Sequence, residues 1–161
     1  MNILKKAVLL ATVAIVPIVS VQAEDKTLNV GLFWMPSNID PAVKWNGWML
    51  PRIGIGENLI RVNEKLEFEP SIAKSWKIID DKTVTFEIRD GVVFHDGKTL
   101  TAEDVKKSIE RAIKTTGRKD VKFPLESITI EGNKMTIKTS EPFPTLVNVL
   151  AESCLYHSIG I

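Results

Sequence analysis

Two places in the 161-residue sequence hold residue types that could do chemistry at short spacing. His95-Asp96 lies in FHDGKTLTAEDVKKSIERAI, residues 94–113. As a catalytic pair, an imidazole beside a carboxylate needs a nucleophile or a third orienting group, and no motif supplies one. As metal ligands, the two lack further spaced histidine or cysteine nearby. Asp96-Gly97 after Val92-Val93-Phe94 is turn chemistry instead, because glycine takes positive φ cheaply. Cys154 and His157 are the second place. Their i, i+3 spacing suits a soft metal. Two ligands still fall short of the three or four that a zinc-type site uses. The residues therefore point away from a small enzyme.

The segment after His95-Asp96 reads as architecture. Thr101 is placed as a helix N-cap whose hydroxyl accepts from the amide of Asp104, while the Asp104 carboxylate reaches back. Leu100 and Val105 stand at the staple positions, and Glu103 and Asp104 favour the positive end of the helix dipole. Val105, Ile109, Ala112 and Ile113 form one apolar face, with Lys106, Lys107, Glu110, Arg111 and Lys114 largely on the solvated side. Gly117 is expected to stop the helix.

Hydrophobic content of 44% and charged content of 25% are ordinary for a globular domain. Lys5-Lys6, an apolar run from Ala7 to Val19, and Ser20-Val21-Gln22-Ala23 have the order of a secretory signal peptide, with cleavage expected after Ala23. The apolar run is shorter than the roughly 20 residues that span a bilayer. The formal net charge is +1, and loss of Lys5 and Lys6 leaves the mature chain near neutral, with nothing that points to nucleic acid. Cys154 is the sole cysteine, so no internal disulfide can form. A soluble, monomeric periplasmic protein is the expectation.

Along the mature chain, Leu28 to Trp34 reads as a buried strand, broken by Pro36, Asn38, Asp40 and Pro41. Lys44 to Leu59 reads as loop and then a helix or broken helix, with Pro51 near its start. Leu59 to Val62 is a possible short strand, Asn63-Glu64-Lys65 a turn, and Pro70 to Ser75 a short helical turn. Thr83 to Arg89 alternates as a half-buried strand, paired as a hairpin with the segment from Trp76. Residues 126–131 and 133–139 form a second hairpin about Gly132-Asn133. A helix from about Thr145 to Ala151 comes after Pro142-Phe143-Pro144.

The ordered string Ala73-Lys74-Ser75-Trp76, TVTFEIR, RDGVVFHDG over residues 89–97, and Thr101-Ala102-Glu103-Asp104-Val105 resembles the signature region of the extracellular solute-binding proteins that serve ABC importers. These include oligopeptide-, dipeptide- and nickel-complex-binding proteins. The resemblance runs from about Leu28 to Leu150. It implies a mixed α/β fold, part of the first lobe of a two-lobed clamshell. Residues 24–58 would begin the large domain of that lobe and residues 59–161 its smaller α/β subdomain. It implies no covalent chemistry: a ligand sits between the lobes, and closure presents the protein to a permease in the inner membrane.

Within that family, SNIDPAVKWNGWMLPRIGIGENL resembles the nickel- or metallophore-binding branch more than the peptide branch. The ligand would then be a transition metal carried as a chelate. Trp45 and Trp48 would offer flat apolar walls, with Asn46 between them, and Arg52 would pair with a chelator carboxylate; equally, the two tryptophans read as core residues or helix-packing anchors and Arg52 as a surface or structural ion pair. Arg118 lies just past the helix, where relatives place polar ligand contacts, although it also reads as a solvated loop charge beside Lys119. Cys154 and His157 remain the weakest candidates, for a metal. Family members are much longer, so the second lobe is missing and the chain reads as a truncated N-terminal fragment. Two other expectations stay open: di- or oligopeptide binding, and a stand-alone or non-functional fragment.

Overall fold

The computed structural model describes Asn29, Gly31, Leu32, Met35, Pro36 and residues 38–152. By contacts the chain separates into residues 1–32 and 33–161, and every element below belongs to the second unit. The signal-peptide expectation, Cys154 and His157 lie outside the described residues. So does most of the first expected strand. Its described members, Asn29, Gly31 and Leu32, carry no strand, and Leu32 is exposed.

Among the described residues, three α-helices, a short 3-10 helix (Lys119–Val121) and six strands make a mixed α/β unit. Helix α1 is Asn46–Arg52, α2 is Ala102–Thr115 and α3 is Leu146–Glu152. Strands β1 (Ile60–Val62) and β2 (Phe68–Pro70) form a two-stranded ribbon. Strands β3 (Ala73–Ile78), β4 (Thr83–Ile88), β5 (Leu125–Glu131) and β6 (Lys134–Thr139) form an antiparallel sheet of order β3-β4-β6-β5.

The alternation read from TVTFEI is real: Val84, Phe86 and Ile88 are buried on one face, and β6 adds Met135 and Ile137 opposite them. Across the β4–β6 pair, Phe86 faces Met135 and Val84 faces Ile137. Helix α2 covers this face with Ala102, Val105, Ile109 and Ala112, all buried. Burying such side chains contributes about 1.5–3 kcal/mol each for the larger ones. The opposite face carries Ser75, Lys77, Thr85, Glu87, Lys134 and Thr136 and stays open to solvent or half-buried, so the sheet is one-sided.

The capping box forms as expected. Thr101 Oγ1 accepts from the Asp104 amide at 3.2 Å, and the Thr101 amide donates to Asp104 Oδ2 at 2.9 Å. The Phe94–Lys98 turn also forms, closed by the Phe94 amide on the Lys98 carbonyl at 2.8 Å and by Gly97 at φ 83°. His95 Nε2 lies 3.3 Å from the Ile55 carbonyl oxygen, so this histidine braces a loop.

Three local expectations fail. Pro51 stands one residue from the end of α1 rather than near its start; in so short a helix its missing N–H removes a single late bond. Residues 70–75 are not a helical turn but the end of β2 and the start of β3. Pro70 ends a strand opposite Ile60, where a proline is tolerated on an edge, and a bulge between Ala73 and Ser75 disrupts the alternation that would have revealed β3. Gly117 does not close α2: the C-cap is Thr116, in extended conformation at φ −68° and ψ 131°, and it is buried. Arg111 lies on the exposed side as expected, and there it pairs with Asp40.

A face of tryptophan and arginine on helix α1

Helix α1 begins from a stitched loop. The Asp40 amide donates to Asn38 Oδ1 at 2.9 Å, and Asp40 Oδ1 accepts from the Ala42 amide at 3.0 Å. The Asp40 carbonyl accepts from the Val43 amide at 3.2 Å and from Asn46 Nδ2 at 3.1 Å. Lys44 turns the chain at φ 50°, a left-handed conformation uncommon outside glycine. Trp45 then caps α1 through its backbone, its carbonyl accepting from Trp48 and Met49.

Helical spacing divides the side chains of α1 and its cap. Asn46, Gly47, Met49 and Leu50 are buried. Trp45, Trp48 and Arg52, at i, i+3 and i+7, share the other side. Trp45 is 54% exposed, so it is no core residue, and Trp48 is half-buried. The Arg52 guanidinium lies over the Trp48 ring, 3.9 Å from its centroid, and Arg52 Nη1 donates to the Trp48 carbonyl at 2.6 Å.

Arg118 arrives from beyond α2 and stacks on Trp45, 4.1 Å from guanidinium carbon to ring centroid. It also forks onto Asp120, with Nε 3.2 Å from Oδ1 and Nη2 on Oδ2. Its side chain is 11% exposed, which overturns the view of a solvated loop charge. The Asp120 carboxyl is held below its ordinary range, first by the hydrogen bond from Arg118. The structure thus brings four of the expected residues into two arginine–tryptophan stacks, at about 0.5–2 kcal/mol each. Asn46 is different. It is fully buried, with Nδ2 donating to Asn38 Oδ1 at 2.8 Å, and its Oδ1 is buried without a partner. It supports the loop from beneath.

Sequence reasoning missed the pair that ties this loop to α2. Arg111 donates to Asp40 through Nη1 at 2.9 Å and through Nη2, a two-bond fork across 71 residues. The fork keeps Arg111 protonated still more firmly than usual. No local pattern announces such a contact. A cleft of about 390 Å³ opens beyond the end of α1, lined by Pro51, Glu57, Asn58, Arg61, Ser71 and Arg89. Its arginines already face carboxylates, Arg61 on Glu69 at 3.0 Å and Arg89 on Glu57 at 3.7 Å, so it carries little net charge for a ligand. Among the described residues no group of three His, Cys, Asp or Glu is placed to hold a metal.

Comparison with known proteins supplies the context. The family profile described as bacterial extracellular solute-binding proteins, family 5, middle region, matches residues 67–158. The nickel-binding protein NikA of Staphylococcus aureus is 34% identical over 132 residues, covering 82% of this chain and 26% of that protein. A crystal structure of NikA from Staphylococcus aureus in complex with Ni(L-His)2 superposes with a TM-score of 0.66, covering 74% of this chain and 25% of the other. The periplasmic murein peptide-binding protein MppA of Escherichia coli is 35% identical over 115 residues, covering 69% of this chain and 21% of that protein. The chain therefore spans about a quarter of the length of the curated relatives it matches. The mixed α/β architecture expected from the sequence is the one found, as a portion of this larger fold. The chain belongs to the bacterial extracellular solute-binding proteins of family 5.

Proposed function

We propose that the chain is the substrate-binding component, or part of it, of an ABC-type importer. It captures nickel as a complex with a small organic chelator and delivers it to a permease in the inner membrane. The observation that carries this reading is the α1 face, where Trp45 and Trp48 stand exposed or half-exposed with an arginine stacked on each. Flat rings and guanidinium groups are poor metal ligands but good partners for the apolar faces and carboxylates of an organic chelate. The chelator then fills the metal's coordination sphere. Trp45 and Trp48 act as walls, Arg52 pairs with a carboxylate, Arg118 braces Trp45, and Asn46 holds the loop. The similarity to a protein named as nickel-binding supports the same branch. Delivery to the periplasm by cleavage after Ala23, and a monomeric state, complete the reading.

Peptide binding is the second reading, favoured by the similarity to a murein peptide-binding protein. Peptide binders hold a backbone by strand-like hydrogen bonds and tolerate varied side chains. Calorimetric titration of the chain with Ni(II)–L-histidine, alone and against a mixed dipeptide pool, separates the two. Saturable nickel–histidine binding that the peptides do not displace supports the chelate. Binding to peptides alone replaces it with the second reading.

A further inference from the structure

Helix α2 and its exit hold the loop before α1 at two points. Arg111 grips Asp40, and Arg118 covers Trp45. Asp40 is the node of that loop: its carboxylate and carbonyl also accept from Ala42, Val43 and Asn46. An arginine fork fixes orientation as well as distance, because two parallel N–H···O bonds allow one approach. The loop then turns at Lys44, in its left-handed conformation, and delivers Trp45. Asp40 is about a quarter exposed and Arg111 half-exposed, so the pair is not needed to fill the core.

We infer that Asp40 and Arg111 are positioning residues that set the orientation of the Trp45 ring without touching the ligand. As a statement about ligand affinity, this rests on the chelate reading above. As a statement about Trp45, it does not. With the fork intact, Trp45 is a preformed wall against which Arg118 stacks. With the fork broken, the loop keeps its local turn bonds but loses its anchor on α2, and Trp45 samples several orientations.

The full chain is labelled with 5-fluorotryptophan and followed by fluorine NMR without ligand, with the Trp45 resonance assigned by its loss in Trp45→Phe. Asp40→Asn retains an acceptor for the Ala42 amide and removes the charge. Arg111→Met leaves the loop chemically intact. Both are expected to shift and broaden the Trp45 resonance while Trp76, packed edge-on against Phe68 at 6.4 Å between centroids, stays in place. Should Asp40→Asn also move Trp76 and so report lost folding, Arg111→Lys decides; it keeps the charge but not the fork, and is expected to move Trp45 alone. An unmoved Trp45 resonance in the Arg111 variants overturns the inference. Titration of the same proteins with Ni(II)–L-histidine is expected to give roughly tenfold weaker binding when the fork is broken. If the unsubstituted chain binds no nickel–histidine but Trp45 still shifts, the ligand reading falls and the positioning role stands. Binding with no Trp45 shift does the reverse.

Discussion

Arg118 lies over the ring of Trp45 at 4.1 Å and is forked onto Asp120 at the same time. One guanidinium thus serves two partners in different ways. Its face covers an indole and its edge neutralises a carboxylate, and this joins the loop before α1 to the exit of α2. The arrangement makes Trp45 a wall with one side braced and the remainder open.

Replacing Trp45 by alanine should therefore separate binding from folding. The side chain is 54% exposed, so the stability change is expected to stay within about 1 kcal/mol, mostly the lost stack on Arg118. Affinity for nickel–histidine should fall at least about tenfold. Thermal denaturation and calorimetry on the same variant check the two halves.

Asp120 provides a pH dependence of known sign. Its ordinary value is 3.8, and the hydrogen bond from Arg118 lowers it in the folded chain. A carboxyl with a depressed folded value stabilises fully above its unfolded value and loses that contribution as pH falls through the folded one. Between pH 6 and about 4.5 the Trp45–Arg118–Asp120 arrangement should be constant. Below pH 3.8 it should loosen progressively, read as a change in tryptophan emission. Asp120→Asn should remove that low-pH step and leave the remaining acid transition in place.

The capping box can be tested independently of any ligand. Thr101→Ala removes the acceptor for the Asp104 amide and is expected to cost about 1 kcal/mol. Urea denaturation followed by far-ultraviolet circular dichroism measures it. An unchanged midpoint would mean that helix α2 is held by its packing alone.

Phe86 is fully buried between the sheet and α2. Phe86→Ala should cost about 3–5 kcal/mol, a large share of the 5–15 kcal/mol typical of a whole domain. Loss of the cooperative unfolding transition, or a strongly lowered midpoint in urea, is the expected outcome.

The elements legible in the sequence were those whose signals are local. TVTFEI alternates, Gly132-Asn133 closes a hairpin, and Thr101 and Asp104 cap a helix; each appears in the fold as read. Strand β2 and the first residues of β3 were hidden because Pro70 and the bulge at Ala73/Ser75 break the period, whereas the part of β3 from Trp76 pairs with β4 in the hairpin as read. Of the candidate residues, Trp45, Trp48, Arg52 and Arg118 are found in two stacks. What the residue types could not give was their roles. Asn46 looked like a contact and is buried under the loop, and Arg111 looked like a surface charge and anchors Asp40. Both depend on contacts whose partners no short window contains.

The proposed function requires a nickel chelate to dock against the Trp45–Trp48 face. Octahedral nickel(II) is paramagnetic and broadens fluorine resonances close to it. A titration of the 5-fluorotryptophan-labelled full chain with Ni(II)–L-histidine, with every tryptophan resonance resolved, therefore reads the docking face itself. Trp45 and Trp48 are expected to broaden first and saturably, well before Trp76, and a diamagnetic zinc–histidine control is expected to leave them sharp. Uniform broadening of all the resonances, or broadening of Trp76 ahead of Trp45, would contradict docking at this face.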